Sequence, residues 1–217
     1  MSDFARRRTI MVDTQVRPSD VTKFPIIEAM LSVPREIFVP RALQEAAYAG
    51  ENLEIAPGRT LLDPRTLAKI LEAVNIQSDD LVLDVACGFG YSSAVAAHMA
   101  EAVIALDDNS DLCGEAESAL STMGIDNVAV VEGPLGDGAA QHGPYDVILI
   151  QGGIEVVPKP LIDQLKDGGR IAAIFEDGRL GTVRVGLKTG GAVTWRYAFN
   201  GDAPLLAGFL KSAEFAL

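Results

Sequence analysis

Asp84 and Asp107 each close a short apolar run, LVLDVAC and AVIALD, and the first runs straight into GFGYSS. An acid at a strand end, followed by glycines and a helix, is the pattern of a nucleotide-cofactor loop. Gly88 and Gly90 let the backbone turn sharply and approach a ligand without a Cβ in the way. The helix after them offers free N–H groups at its first turn. Two cofactor chemistries compete for this pattern. A dinucleotide fingerprint needs a third glycine, and Ser93 stands there instead. S-adenosylmethionine carries no pyrophosphate, and asks instead for groups that receive an ammonium and a ribose. Asp84 would take the ammonium side, directly or through water, and Asp107 the two ribose hydroxyls. Tyr91 either caps the cofactor or simply packs. The plainer alternative makes both aspartates helix caps or solvated loop acids.

A second stretch, GRTLLDPRTL from Gly58 to Leu67, reads first as a helix entrance. Asp63 is an N-cap with Pro64 at the first helical position. Leu67, Ile70, Leu71 and Val74 then mark one helical face. The two cysteines, Cys87 and Cys113, have neither metal spacing nor a disulfide pattern. Cys87 is expected as a small filler, since no partnering base is visible. His98 falls within an expected helix and His142 in a glycine-rich loop, so no metal site is expected.

The elements that must position these groups follow from the alternation of short β-branched runs with helical segments after Leu81. Strands are expected at LVLDVAC, AVIALD, NVAVVEG, YDVILIQG and GGRIAAIFE, with helices near 92–99, 110–123 and 160–165. Such alternation means a mostly parallel sheet covered on both faces, and in it ligands sit beyond the carboxyl ends of the strands. The last two strands, near 182–188 and 193–199, are joined by KTGGA and should form an antiparallel edge. The fold class is therefore α/β, a doubly wound, mostly parallel sheet. Residues 1–57, mostly helical and broken by prolines 18, 25, 34 and 40, form an N-terminal helical appendage to a core of 58–217. In the appendage, Ile26, Ile27, Met30 and Leu31 read as ordinary helix core.

Composition narrows the function. Hydrophobic residues make up 48% of the 217, as in a cytoplasmic globular enzyme, and no apolar run approaches the roughly 18 residues of a membrane helix. Three arginines at 6–8 are followed by no apolar segment with a cleavage site, so no signal peptide is read. A formal charge of −12 disfavours nucleic acid as a partner.

VLDVACGFGYSSAVAA (82–97), PYDVILI (144–150) and VVPKPLIDQLKDGGRI (156–171) closely resemble the protein-L-isoaspartate O-methyltransferases, as do AMLSVPREIFVP (29–40) and AYAGENLEI (47–55). The resemblance runs in the family's order from about residue 11 to 174. It implies the Rossmann-like class I methyltransferase fold and S-adenosylmethionine as cofactor. The implied reaction is methyl transfer to the free carboxylate of an isoaspartyl residue in a damaged protein. The ester then collapses to a succinimide that can reopen to aspartate. Carried over by motif, Asp84, Ala86, Gly88 and Gly90 fall on the cofactor loop, with Tyr91 following. Asp107 is the ribose acid, with Asp108 beside it, and Gly133 and Pro134 lie at the adenine end.

Departures accompany the match. The family's Q-T-I-S-x-P becomes RTLLDP, which keeps Thr60 and Pro64 but puts Arg59 for the glutamine and Leu62 for the serine that meets the acceptor carboxylate. Leucine donates no hydrogen bond, so Thr60, Arg59 or Arg65 would have to compensate. The family's G-D-G, whose aspartate meets adenine, becomes Gly133-Pro134-Leu135, unless a slipped match uses Gly136-Asp137-Gly138. Near the C-terminus only Pro204-Leu205 survives of a peptide-binding motif, preceded by Asp202. Three readings stay open: isoaspartyl repair, the same chemistry on another acceptor, and a silent member acting as a binding or regulatory protein. Oligomeric state is not legible.

Overall fold

The computed structural model describes residues 3–176 and 180–211. Its centre is a seven-stranded sheet of β3 (Leu81–Val85), β4 (Ala102–Asp107), β5 (Val128–Glu132), β6 (Tyr145–Ile154), β7 (Leu165–Phe175), β8 (Thr182–Thr189) and β9 (Ala192–Asn200). The strand order is β5-β4-β3-β6-β7-β8-β9. β3, β4, β5, β6 and β7 are parallel, and β8 and β9 add two antiparallel strands at the edge. The doubly wound expectation and the antiparallel edge both hold. Gly190 and Gly191, at φ 59° and 83°, make the two-residue turn between β8 and β9. Positive φ at both central positions is what a tight hairpin of this hand requires.

Period-two alternation sorts the sheet residues onto two faces. Val82, Val103, Val147, Leu149, Ala172 and Ile174 bury against α2 (Phe24–Ser32), α3 (Pro64–Val74) and α4 (Tyr91–Ala97). Leu83, Val85, Ile104, Leu106, Ile148 and Ile171 face the other way. That second face is covered by the short α6 (Lys159–Gln164), by a 3₁₀ turn at Leu135–Asp137, and by Leu206 and Phe209. α5 (Ser110–Thr122) joins β4 to β5. At the far edge, Trp195 meets Phe175 edge-on, with ring centroids 4.9 Å apart.

The N-terminal part is mostly helical, as expected. α1 (Asp3–Met11) runs into a π-helical turn at Val12–Val16, and 3₁₀ turns flank α2. Sequence patterning gave no sign of a two-stranded hairpin, β1 (Leu53–Ala56) with β2 (Arg59–Leu61). Three or four residues are too few to display a period. Gly58, at φ 70°, lies in its turn. Asn52 ties the hairpin to the rest, accepting from Asp63 N at 2.8 Å and donating to Asp202 O at 2.8 Å. Met11, Met30, Leu67, Val95 and Val147 belong to one continuous buried cluster, so the appendage and the sheet share a core. Among the described residues no helix is long and apolar enough to cross a membrane, and no cluster of His, Cys, Asp or Glu could hold a metal ion.

Candidate active site

The strand order reverses at β3, whose neighbours β4 and β6 begin the two halves of the sheet. A crevice opens beyond the carboxyl ends at such a reversal, and Asp84, Asp107 and Gln151 all stand there. The loop after β3 alternates into the left-handed region, with Ala86 at φ 61°, Gly88 at 56° and Gly90 at 87°. A Cβ on Gly88 would come within 2.6 Å of Ile55 Cδ1, so the β1–β2 hairpin lies directly on this loop. Only glycine accepts both the dihedral and the approach.

Asp84 is fully buried and takes three side-chain donors. Ser92 Oγ and Ser93 Oγ each donate to its Oδ2 at 2.6 Å, and Gln151 Nε2 donates to Oδ1 at 2.7 Å. Burial pushes its carboxyl above the usual range, and the three donors pull in the opposite direction. Ser93, the residue that breaks the dinucleotide pattern, thus has a positive role as one of two hydroxyls anchoring the acid. Sequence marked Ser93 only as the break in the glycine pattern, and marked neither Ser92 nor Gln151. Gln151 is 67 residues away, and nothing local marks it.

Asp107 is equally buried, and its partners decide the character of the site. Gly88 N donates to Oδ2 at 3.0 Å and Asn109 N to Oδ1 at 3.2 Å. Arg59 Nε reaches both oxygens, at 3.1 and 2.9 Å. The same guanidinium pairs through Nη2 with Asp108 and through Nη1 with Gly58 O at 2.9 Å. Burial works against the Arg59 charge, and the bonds to Asp107 and the charges of both acids outweigh it, leaving its pKa raised. Arg59 therefore sits at the acid expected to receive a ribose. Gly133 N donates to Asp107 O at 2.9 Å, which fixes the end of β5 against β4. Pro134 is exposed and Leu135 turns into the core.

Beside these acids, Thr60, Leu62, Phe38, Ile55, Cys87 and Tyr91 line a small cavity of about 10 Å³, room for roughly one water. Tyr91 packs, as one of its two readings had it. Its ring lies edge-on to Phe38 at 5.8 Å and under the Arg35 guanidinium at 4.8 Å. Arg35 is wholly buried, with Nε on Ala47 O at 2.6 Å and Nη2 on Leu62 O at 2.5 Å. It holds the backbone at Leu62 in place, a role the sequence did not suggest. Leu62 is 2% exposed and contributes to the apolar wall. Cys87 is buried, which raises its thiol well above the ordinary value, as suits a filler. Arg65 lies elsewhere, exposed and over the Phe199 ring at 5.8 Å.

A family model described as protein-L-isoaspartate(D-aspartate) O-methyltransferase matches residues 7–194. The chain belongs to this family. It is 36% identical to protein-L-isoaspartate O-methyltransferase 2 of Pelobacter propionicus, over 76% of this chain and 73% of that one. It is also 36% identical to the Syntrophus aciditrophicus protein of the same name, over 79% and 78%. Among solved structures, one from Plasmodium falciparum in complex with S-adenosyl-L-homocysteine superposes with a TM-score of 0.78, at 18% identity, over 95% of this chain and 99% of that one. A second protein-L-isoaspartate O-methyltransferase structure also reaches a TM-score of 0.78, at 24% identity, over 94% of this chain and 65% of the other. These likenesses establish the fold in three dimensions.

Whether this member's residues suit the family's cofactor can be tested on the geometry. The left-handed glycine loop, the buried acid at the end of β4, and Gly88 N bound to that acid fit S-adenosylmethionine. Arg59 Nε lies across both oxygens of Asp107, the acid expected to receive the ribose, so the residues present fit the cofactor only with that guanidinium displaced.

Proposed function

We propose that this protein catalyses S-adenosylmethionine-dependent methyl transfer to the carboxylate of L-isoaspartyl residues in damaged peptides or proteins. The observation that carries the reading is Asp107, a buried acid at the end of β4 with Gly88 N on its carboxylate, at the reversal of a doubly wound sheet. In this reading, Asp84, Ala86, Gly88, Gly90, Asp107, Asp108, Gly133 and Pro134 surround the cofactor, with Tyr91 supporting the loop from below. The 58–217 core supplies them, and the 1–57 appendage lends Phe38 and Ile55 to the cavity wall.

When bound, the cofactor supplies a methyl group made electrophilic by a sulfonium. The acceptor carboxylate is already ionised near pH 7, so the chain has no proton to remove. That agrees with a cavity lacking histidine and with Cys87 being held as a thiol. What the residues must do is orient the carboxylate and keep water out. Thr60 offers a hydroxyl at the cavity, and the neighbouring Arg59 a guanidinium suited to a carboxylate once it is released from Asp107 and Asp108. Leu62, Phe38 and Tyr91 form the apolar wall. A second reading, a member with another acceptor or with no turnover, is favoured by Leu62 in place of the family serine.

Labelled methyl transfer to an isoaspartyl peptide, run beside its normal-aspartyl twin, separates these readings. Base-labile label on the isoaspartyl peptide alone is the expected result. S-adenosylhomocysteine binding without transfer to either peptide would leave the second reading standing in its place.

A further inference from the structure

We infer that Arg59 competes with the cofactor's ribose for Asp107, so that this chain carries an internal occupant of its own cofactor site. The inference rests on the cofactor reading above and concerns a residue that departs from the family pattern. An ionised carboxylate offers about four lone-pair positions. In Asp107, Gly88 N and Asn109 N use one on each oxygen, and both donors are backbone groups fixed by the loop and by the start of α5. Arg59 Nε reaches across the remaining face of both oxygens. A vicinal diol needs two acceptor positions, and among the described residues the only donor to the Asp107 carboxylate that a side-chain rotation can remove is Arg59.

The clamp is well supported. Arg59 is 6% exposed, and its three nitrogens are engaged by Asp107, Asp108 and Gly58 O. It projects from β2, whose hairpin also presses Ile55 onto Gly88, so the latch and the lid over the glycine loop belong to one element. The cavity beside it holds about one water, which agrees with a closed state. A ligand that binds only the unlatched form has its apparent affinity reduced by the fraction of unlatched molecules. Asp108, half-exposed, pairs with Arg59 Nη2, and an asparagine there keeps its shape and a hydrogen-bonding amide for the cofactor while losing the charge that steadies the latch.

The test is S-adenosylhomocysteine binding by titration calorimetry to the full chain, comparing the native protein with R59Q and D108N. R59Q installs the residue the family carries there, which has no charge to bridge the two acids. Tighter binding by about tenfold or more is expected for R59Q, and an intermediate tightening for D108N. D108N changes one half-exposed side chain, so it keeps the comparison available if R59Q folds poorly. The rise in Tm on adding ligand should follow the same order. Binding to R59Q and D108N that equals or falls below the native value would overturn the latch while leaving the cofactor reading intact. Binding to none of the three would overturn both.

Discussion

Two buried acids at neighbouring strand ends have opposite kinds of partner. Asp84 is held by two hydroxyls and an amide, all neutral, whereas Asp107 is held by a guanidinium and two backbone donors. A neutral cage makes Asp84 the more exposed to loss of any one donor, because no cation among its described partners offsets its charge. Ser92→Ala and Ser93→Ala are each expected to lower unfolding free energy by about 1.5–3 kcal/mol, the usual cost of removing a hydrogen bond to a buried charged group. Urea unfolding at pH 7 checks this, with the double variant below either single one. The positions of both acids were legible because an aspartate closing a β-branched run marks a strand end. Their partners were not, since Arg59 is 48 residues from Asp107 and Gln151 is 67 from Asp84. Only the completed sheet brings those pairs together.

Among elements, the helix entrance at Asp63 follows its local chemistry. Its Oδ1 accepts from Thr66 N at 2.9 Å, Pro64 occupies the first position, and Leu67, Ile70, Leu71 and Val74 are all buried. Asp63→Ala should cost about 1 kcal/mol, the typical worth of such a cap, and shift the urea midpoint down without changing the slope. Helices and central strands of this length announce themselves by period, and the expected boundaries agree with those found to within a few residues. The β1–β2 hairpin and the π-helical turn at Val12–Val16 did not, because each is held by tertiary contacts rather than by patterning. That matters for the site, since the hairpin brings Arg59 and Ile55 to it. The loop quoted as a helix entrance is therefore both an entrance and the wall of a cavity.

For the molecule as a whole, stability depends on how surface acids are tied to the sheet. Asp146, near the start of β6, accepts from Leu81 N at 2.9 Å and Lys166 Nζ at 2.7 Å. Partial burial opposes its charge, but the backbone bond and the lysine outweigh it and hold the carboxyl below the usual value. A depressed pKa in the folded state means stability that is fully present above the unfolded value, near 3.8, and lost as pH falls through the lower folded value. Asp146→Ala should therefore cost about 1 kcal/mol near neutrality, with the difference from the native protein shrinking below about pH 4. Chemical unfolding across that pH range reads it directly. The net charge of −12 was plain from composition, but which acids hold the parallel strands together needed the fold.

The antiparallel edge also has an optical consequence. Trp195 is the chain's single tryptophan, and β9 lies five strand spacings from β4, about 24 Å. Its emission reports on the packing against Phe175 and is blind to events at Asp107. A fluorescence trace of unfolding that runs ahead of the circular dichroism trace would thus mean that the edge hairpin peels away while the wound half of the sheet is still intact.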